Sequence, residues 1–292
     1  MNSTSGSRRG TFKFIKQLWV KIGADDVQGI AAQLTYYLIL SLFPFLIFIM
    51  TLIGYANISL EKNIEQLEQI MPAEAISIIE EILQDVSAGR SQTLLSFGML
   101  ATLWAASKGI NAIIKGLNRA YEIDESRVFW KIRGIALLAT LTIGFVVLLS
   151  ILLLVLGSWL KTQVFLLVDL PYGFQKLWDL LQYAIPLFVM FIVFTLLYWI
   201  APSRRLALRE VMPGALFTTI GWITTSILFS VYVNQFSDFS KTYGSLGGVT
   251  VLLIWLYISS FIILAGGEIN AVLLNRRVNS MPFSSFKGQK LP

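Results

Sequence analysis

Apolar positions in this chain gather into six long runs separated by shorter polar stretches. Segments without Asp, Glu, Lys or Arg cover 27–60, 134–160, 180–203, 211–237 and 242–267, and a sixth, 91–114, is interrupted only by Lys108. A helix rising about 1.5 Å per residue needs roughly 20 apolar residues to cross a ~30 Å hydrocarbon core. Each run is long enough, and spans are predicted at 30–56, 92–115, 134–160, 180–201, 211–233 and 246–271. The fold class that follows is an all-α integral membrane protein, a six-transmembrane-helix bundle with an N-terminal interfacial helix and an outer helical hairpin.

The segments between the runs carry helical patterns of their own. Residues 1–10 read as a disordered tail. Over 11–29 an amphipathic helix is expected, because Phe12, Ile15, Trp19 and Ile22 recur at helical spacing among Lys13, Lys16, Gln17 and Lys21. Such a helix lies along the membrane interface or packs on the end of the bundle. The membrane domain is read as 30–271. Within it, 57–90 has two apolar stripes, Ile64/Leu67 and Ile76/Ile79/Leu83/Val86, parted by Pro72. This outer hairpin exposes Glu61, Glu65, Glu68, Glu74, Glu80, Glu81 and Asp85, either as a solvated cap or as a collector of cations at a pore mouth. The apolar loop 161–178 suits the headgroup region, and 234–245 leads into Tyr243-Gly244-Ser245-Leu246-Gly247-Gly248. Span 5 carries Pro213, Gly214, Thr218, Gly221 and Thr225, a small-residue face suited to close helix packing. No internal repeat is visible, so an inverted 3+3 repeat is not indicated.

Charge gives the spans a direction. Lys and Arg are retained on the cytoplasmic side of a membrane. With these spans, 17 basic residues fall on the side of the two termini and 5 on the other, and Lys108 lies inside a span. Both termini, including the tail 272–292, are therefore expected in the cytoplasm. The net charge of +6 then attracts anionic lipid headgroups on the cytoplasmic side rather than nucleic acid. No cleavable signal peptide is read, because the first apolar run starts late and is too long for a signal core. The chain has no cysteine and no histidine. Thiolate and imidazole metal sites and the usual general acid–base group are thus missing, and neither metal nor cofactor is expected.

Ionisable groups at membrane depth mark function by default, because burying them unpaired is costly. Lys108 and Glu268 are the two such groups. Their depths differ by about one helical turn or less on this reading, so an ion pair between them is geometrically open. Ser107 and Asn111 share the Lys108 face at helical spacing, with Trp104 and Lys115. Gln33, Tyr36 and Tyr37 lie near the inner end of span 1, Asn118, Arg119 and Tyr121 follow span 2, and Asn270 follows Glu268. All of these belong to the cytoplasmic half, while the outer halves are Leu, Ile, Phe and Val. The candidate ligand or transport pathway is therefore Lys108, Glu268, Asn111, Ser107, Tyr36, Tyr37, Gln33, Asn118 and Asn270, lining a polar cavity open to the cytoplasm. The alternative is a polar network that only fixes helix packing.

At these residues the chain resembles the YihY/BrkB family of bacterial inner-membrane proteins. The resemblance rests on Ala31-Ala32-Gln33-Leu34-Thr35-Tyr36-Tyr37 running to Ser41-Leu42-Phe43-Pro44, and on Trp104-Ala105-Ala106-Ser107-Lys108-Gly109 through Leu117-Asn118-Arg119-Ala120-Tyr121. It continues with Tyr243-Gly244-Ser245-Leu246-Gly247-Gly248, Trp255-Leu256-Tyr257 and Gly266-Gly267-Glu268-Ile269-Asn270-Ala271. The resemblance implies a six-helix membrane protein with suggested roles in envelope function, serum resistance and lipid or solute transport. The family has also carried the label ribonuclease BN, which the residues here do not support. The function expected is a transporter or flippase-like protein for a lipid or an anionic solute, and not an enzyme. The alternative is a non-transporting membrane scaffold of the cell envelope that binds partners. Membrane lipids are the expected partners, and a homo-oligomer is compatible with either reading.

Overall fold

The computed structural model describes residues 4–55, 92–143, 145, 172–235 and 245–279. Among them there is no strand, and helices run α1 Thr4–Ala24, α2 Val27–Tyr55, α3 Gln92–Ala120, α4 at 129–143, α5 Tyr172–Ile200, α6 Leu208–Gln235 and α7 Ser245–Asn279. Four stretches are long and apolar enough to cross a membrane: Val27–Phe48, Ser96–Ala120, Leu208–Tyr232 and Gly248–Arg277, with Ala184–Ile200 a shorter apolar helix. The outer hairpin 57–90, most of the predicted span 134–160, most of the 161–178 and 234–245 loops and the tail after 279 lie outside the described residues.

Two boundaries differ instructively from the sequence pattern. Helix α1 starts at Thr4, inside the stretch 1–10 read as a disordered tail. Once Phe14 and Leu18 anchor the helix, adding residues at its N-terminus costs only propagation, not nucleation. At its other end α1 stops at Ala24 and α2 begins at Val27, so the interfacial helix does not reach residue 29. Asp26 breaks the path with a left-handed φ of 52°, a conformation Asp tolerates better than most residues. Its Oδ1 then accepts from Gly29 N at 3.2 Å and caps α2.

The chain forms two compact units, residues 1–35 with 110–292, and residues 36–109. In the smaller unit α2 and α3 approach closely at Gly98, where a Cβ would sit 3.0 Å from Phe48 N and 3.1 Å from Pro44 O. In the larger unit α7 packs chiefly on α6, α6 on α5, and α1 on α7. Its buried side chains come from 27–35, 110–121, Ala136, 194–206, 211–219 and 259–274. Large apolar residues such as Phe188, Ile220 and Leu228 stay exposed. Water would not tolerate so broad an apolar surface, whereas lipid does.

The α6–α7 crossing shows what the small residues of span 5 do. A Cβ on Gly214 would run into the Gly266 carbonyl oxygen, and one on Gly266 into the Thr218 hydroxyl. The backbones therefore touch where glycines face each other. Asn270 fastens the crossing: Gly214 N donates to its Oδ1 at 2.6 Å, and its Nδ2 donates to Val211 O at 3.0 Å. Fully buried Tyr198 on α5 closes the third side. Its hydroxyl donates to Ile263 O at 2.5 Å and lies 2.6 Å from Thr218 Oγ1.

Candidate functional site

A charged cluster forms at the end of the larger unit where α1, α3 and α7 meet. Helix α3 ends in a Schellman turn, with Ile123 N donating to Asn118 O at 2.9 Å and Glu122 N to Arg119 O at 3.0 Å. The left-handed position of that turn normally takes glycine, yet Glu122 occupies it with φ 56°. A non-glycine residue there costs about 1 kcal/mol. What the glutamate gains is an ion pair, Glu122 Oε1 to Lys21 Nζ at 3.3 Å.

Lys21 is the hub. Phe14, Leu18, Lys21 and Ile22 share the less exposed face of α1, which aims the lysine inward rather than toward the basic flank of Lys13 and Lys16. Its ammonium donates to Ala120 O at 2.6 Å and to Asp25 Oδ2 at 3.2 Å. Glu268 Oε2 lies 3.9 Å away. The Glu268 side chain is only 1% exposed, so this cation compensates a carboxylate that sits in a membrane-length apolar helix. Arg119 adds a second positive charge, 4.0 Å from Asp25 Oδ1, and donates to Ala24 O at 3.2 Å. Tyr121 is buried beside the cluster; burial, then Glu210 and Glu268, push its phenol pKa up.

An open cleft of about 590 Å³ adjoins the cluster, lined by Asp25, Asn111, Lys115, Arg119 and Glu122 among others. Its far wall is a clasp. Arg127 donates to Glu125 through Nε at 2.8 Å and Nη2 at 2.7 Å, and also to Ala201 O at 2.8 Å. Asn118 completes it, with Nδ2 donating to Glu125 Oε2 at 2.7 Å and Oδ1 accepting from Ser203 N at 2.8 Å. The Arg127 hydrogen bond holds the Glu125 pKa at about 2, against an ordinary 4.5. Because the folded pKa is depressed, the stabilisation is complete above pH 4.5 and is lost as pH falls toward 2. In detergent, Glu125→Gln should lower the thermal midpoint at pH 7, and the gap to wild type should close on acidification through that window. A gap independent of pH would contradict the clasp.

The residues singled out by sequence divide into several groups. Glu268 and Asn111 lie at the cluster and the cleft; Asn111 Oδ1 is buried and finds no hydrogen-bond partner among the described residues. Asn118 also lines the cleft, held by Glu125 and the Ser203 backbone, whereas Asn270 is occupied with backbone partners at the α6–α7 crossing. In the other unit, Lys108 Nζ sits 5.5 Å from the centre of the Trp104 ring, and Ser107 bonds to its own helix at Trp104 O. Tyr36 is 61% exposed and packs edge-on against Tyr37. Gln33 is exposed as well. Missing from that sequence selection are Lys21, Asp25, Glu122, Glu125 and Arg127. The signal for Lys21 was available: a lone lysine on the face of Phe14, Leu18 and Ile22.

The family profile described as virulence factor BrkB matches residues 18–285. The chain belongs to the BrkB family. A Bacillus subtilis (strain 168) relative named as the ribonuclease-like protein YfkH is 43% identical over 264 residues, 90% of this chain and 96% of that protein. A UPF0761 membrane protein of Cronobacter sakazakii is 27% identical over 269 residues, 89% of this chain and 88% of the relative. No solved structure matches the chain. This BrkB family member is thus a membrane protein with several apolar helices, one of whose relatives carries a ribonuclease-like name. Among its described residues no three His, Cys, Asp or Glu side chains are grouped to hold a metal ion.

Proposed function

We propose that this BrkB family member crosses the bacterial inner membrane six times with both termini in the cytoplasm, and that it acts as a transporter or flippase-like protein for a lipid or an anionic solute. The observation that carries this reading is the buried Glu268 carboxylate, compensated at 3.9 Å by Lys21 and adjoining a cleft that carries Lys115 and Arg119. A carboxylate held at membrane depth by a long-stemmed cation is a two-state element. The pair opens when a proton or a substrate charge takes over one partner. Lys115 and Arg119 meet a phosphate or carboxylate entering from the cytoplasm, and Asn111 orients it. Lys108 stays in the pathway on the strength of its depth in the sequence. The protein is not an enzyme on this reading, and anionic headgroups of membrane lipids are its partners.

The scaffold alternative has one observation in its favour: Asn118 and Asn270 are consumed by structural hydrogen bonds. Reconstitution separates the two. Liposomes carrying the protein should scramble a labelled lipid or take up an anion faster than empty ones. Glu268→Gln and Lys108→Ala should each reduce the rate about tenfold or more, the scale of one lost charge interaction. Protein-containing liposomes no faster than empty ones would leave the scaffold reading standing.

A further inference from the structure

Helix α1 has two faces with different partners. Phe14, Leu18, Lys21 and Ile22 turn toward the bundle, where Arg276 of α7 lies over the Phe14 ring at 5.1 Å and donates to Gln17 Oε1 at 2.8 Å. Phe12, Ile15 and Trp19 form a second stripe that no described residue covers, Trp19 being 75% exposed. Exposed Lys13 and Lys16 flank it. A second exposed group stands at the start of α4. Val128, Phe129 and Trp130 follow the Arg127 clasp and open α4, with Trp130 79% exposed and its ring edge-on to Phe129. Lys131 and Arg133 stand beside them. The cleft is lined by Asp25, just past the end of α1, and by Ile132 in α4, so the two helices that carry these aromatic groups both reach it.

We propose that these two groups dock on an anionic lipid surface, and that docking of α1 is what seats Lys21 against Glu268. Three features favour lipid as the occupant. Tryptophan and phenylalanine interleaved with lysine is the composition that enters a headgroup layer. Helix α1 runs, two residues past its end, into α2, a stretch long and apolar enough to cross a membrane, which fixes it near bilayer level. The hinge is built in: Gly23 has open space around its Cα, and Asp26 holds the left-handed turn on which α1 pivots. The device is a strap. Seated on acidic lipid, it closes Lys21 over the buried carboxylate; on a neutral surface it swings more freely. Each lysine near an anionic surface raises the seated population about fivefold. The inference rests on the proposed membrane orientation but not on transport, and its readouts do not require any solute to move.

The absence of cysteine makes single-thiol reporters simple. The full chain carrying Trp19→Cys with an environment-sensitive fluorophore is placed in phosphatidylcholine vesicles, with or without phosphatidylglycerol. Strong quenching by a headgroup-level spin-labelled lipid is expected in the anionic vesicles and weaker quenching in the neutral ones. A second reporter, Ala271→Cys, lies three residues past Glu268 on α7, at a position 1% exposed. Its reaction with a water-soluble thiol reagent should be about tenfold slower in anionic vesicles, the joint effect of Lys13 and Lys16 being partly screened. Adding Phe12→Ser and Trp19→Ser to that reporter should abolish the difference. If Ala271→Cys does not fold, Asn111→Cys in the cleft serves the same purpose. A label at position 19 that stays in water in both vesicles overturns the docking surface and leaves the stripe to a protein partner. Thiol rates equal in both vesicles, with the label quenched, overturn the link to Lys21.

Discussion

Lys21→Met should destabilise the protein by about 3 kcal/mol, because it strips the compensating charge from a carboxylate that cannot reach water. Glu268 is 1% exposed, and Lys21 is the cation the structure places beside it. The double variant Lys21→Met/Glu268→Met should recover most of that loss. Removing both halves of a buried pair removes the desolvation cost with the attraction, and apolar replacements pack at no great penalty. Asp25 keeps Arg119 within 4.0 Å, and Glu122 is largely exposed, so neither is left stranded. The check is a thermal or denaturant midpoint in detergent for the single and double variants. Activity should behave differently, with the double variant as stable as wild type yet inactive in liposomes. Additive destabilisation of the two substitutions would mean that the groups are not coupled.

The second large effect concerns the helix crossing. Gly214→Leu should cost at least ~3 kcal/mol and yield little folded protein, since its side chain would have to occupy the space of the Gly266 carbonyl and the Asn270 amide. Gly266→Leu should be as severe, meeting Thr218 and Tyr198. Gly221→Leu, on the same helix but facing only Ile262 at 3.2 Å, should be tolerated better, because a flexible side chain gives way where backbone does not. Yield of monodisperse protein in a size-exclusion profile orders the three. Equal yields would contradict the close crossing.

These expectations show what the sequence could and could not reveal. Membrane-length helices are written in hydropathy, and among the described residues there are four of them together with one shorter apolar helix. The small-residue face of span 5 was equally legible, because small residues recurring at that spacing let helix backbones approach closely. Lys21 was not selected as a site residue. Depth along a span compares residues on membrane helices, whereas Lys21 reaches its place by a helix that folds back across the bundle end. It binds Ala120 O from 99 residues away. The clasp of Asn118, Glu125 and Arg127 was hidden for a related reason: it depends on the path of a loop, which periodicity does not encode. Asn118 and Asn270 were visible as polar groups within apolar surroundings, but Asn270 bonds to backbone atoms and Asn118 to the Ser203 backbone and the Glu125 carboxylate of a loop, partners which no residue pattern announces.

The most direct measurement uses Lys21→Cys with Glu268→Cys in this otherwise cysteine-free chain, treated in native membranes with a short bifunctional thiol reagent. A single intramolecular link, read as one reagent added per chain and no thiol left over, is the result expected if α1 folds back to deliver its lysine to the buried carboxylate. Two reagents added per chain, each blocking one thiol, would contradict it.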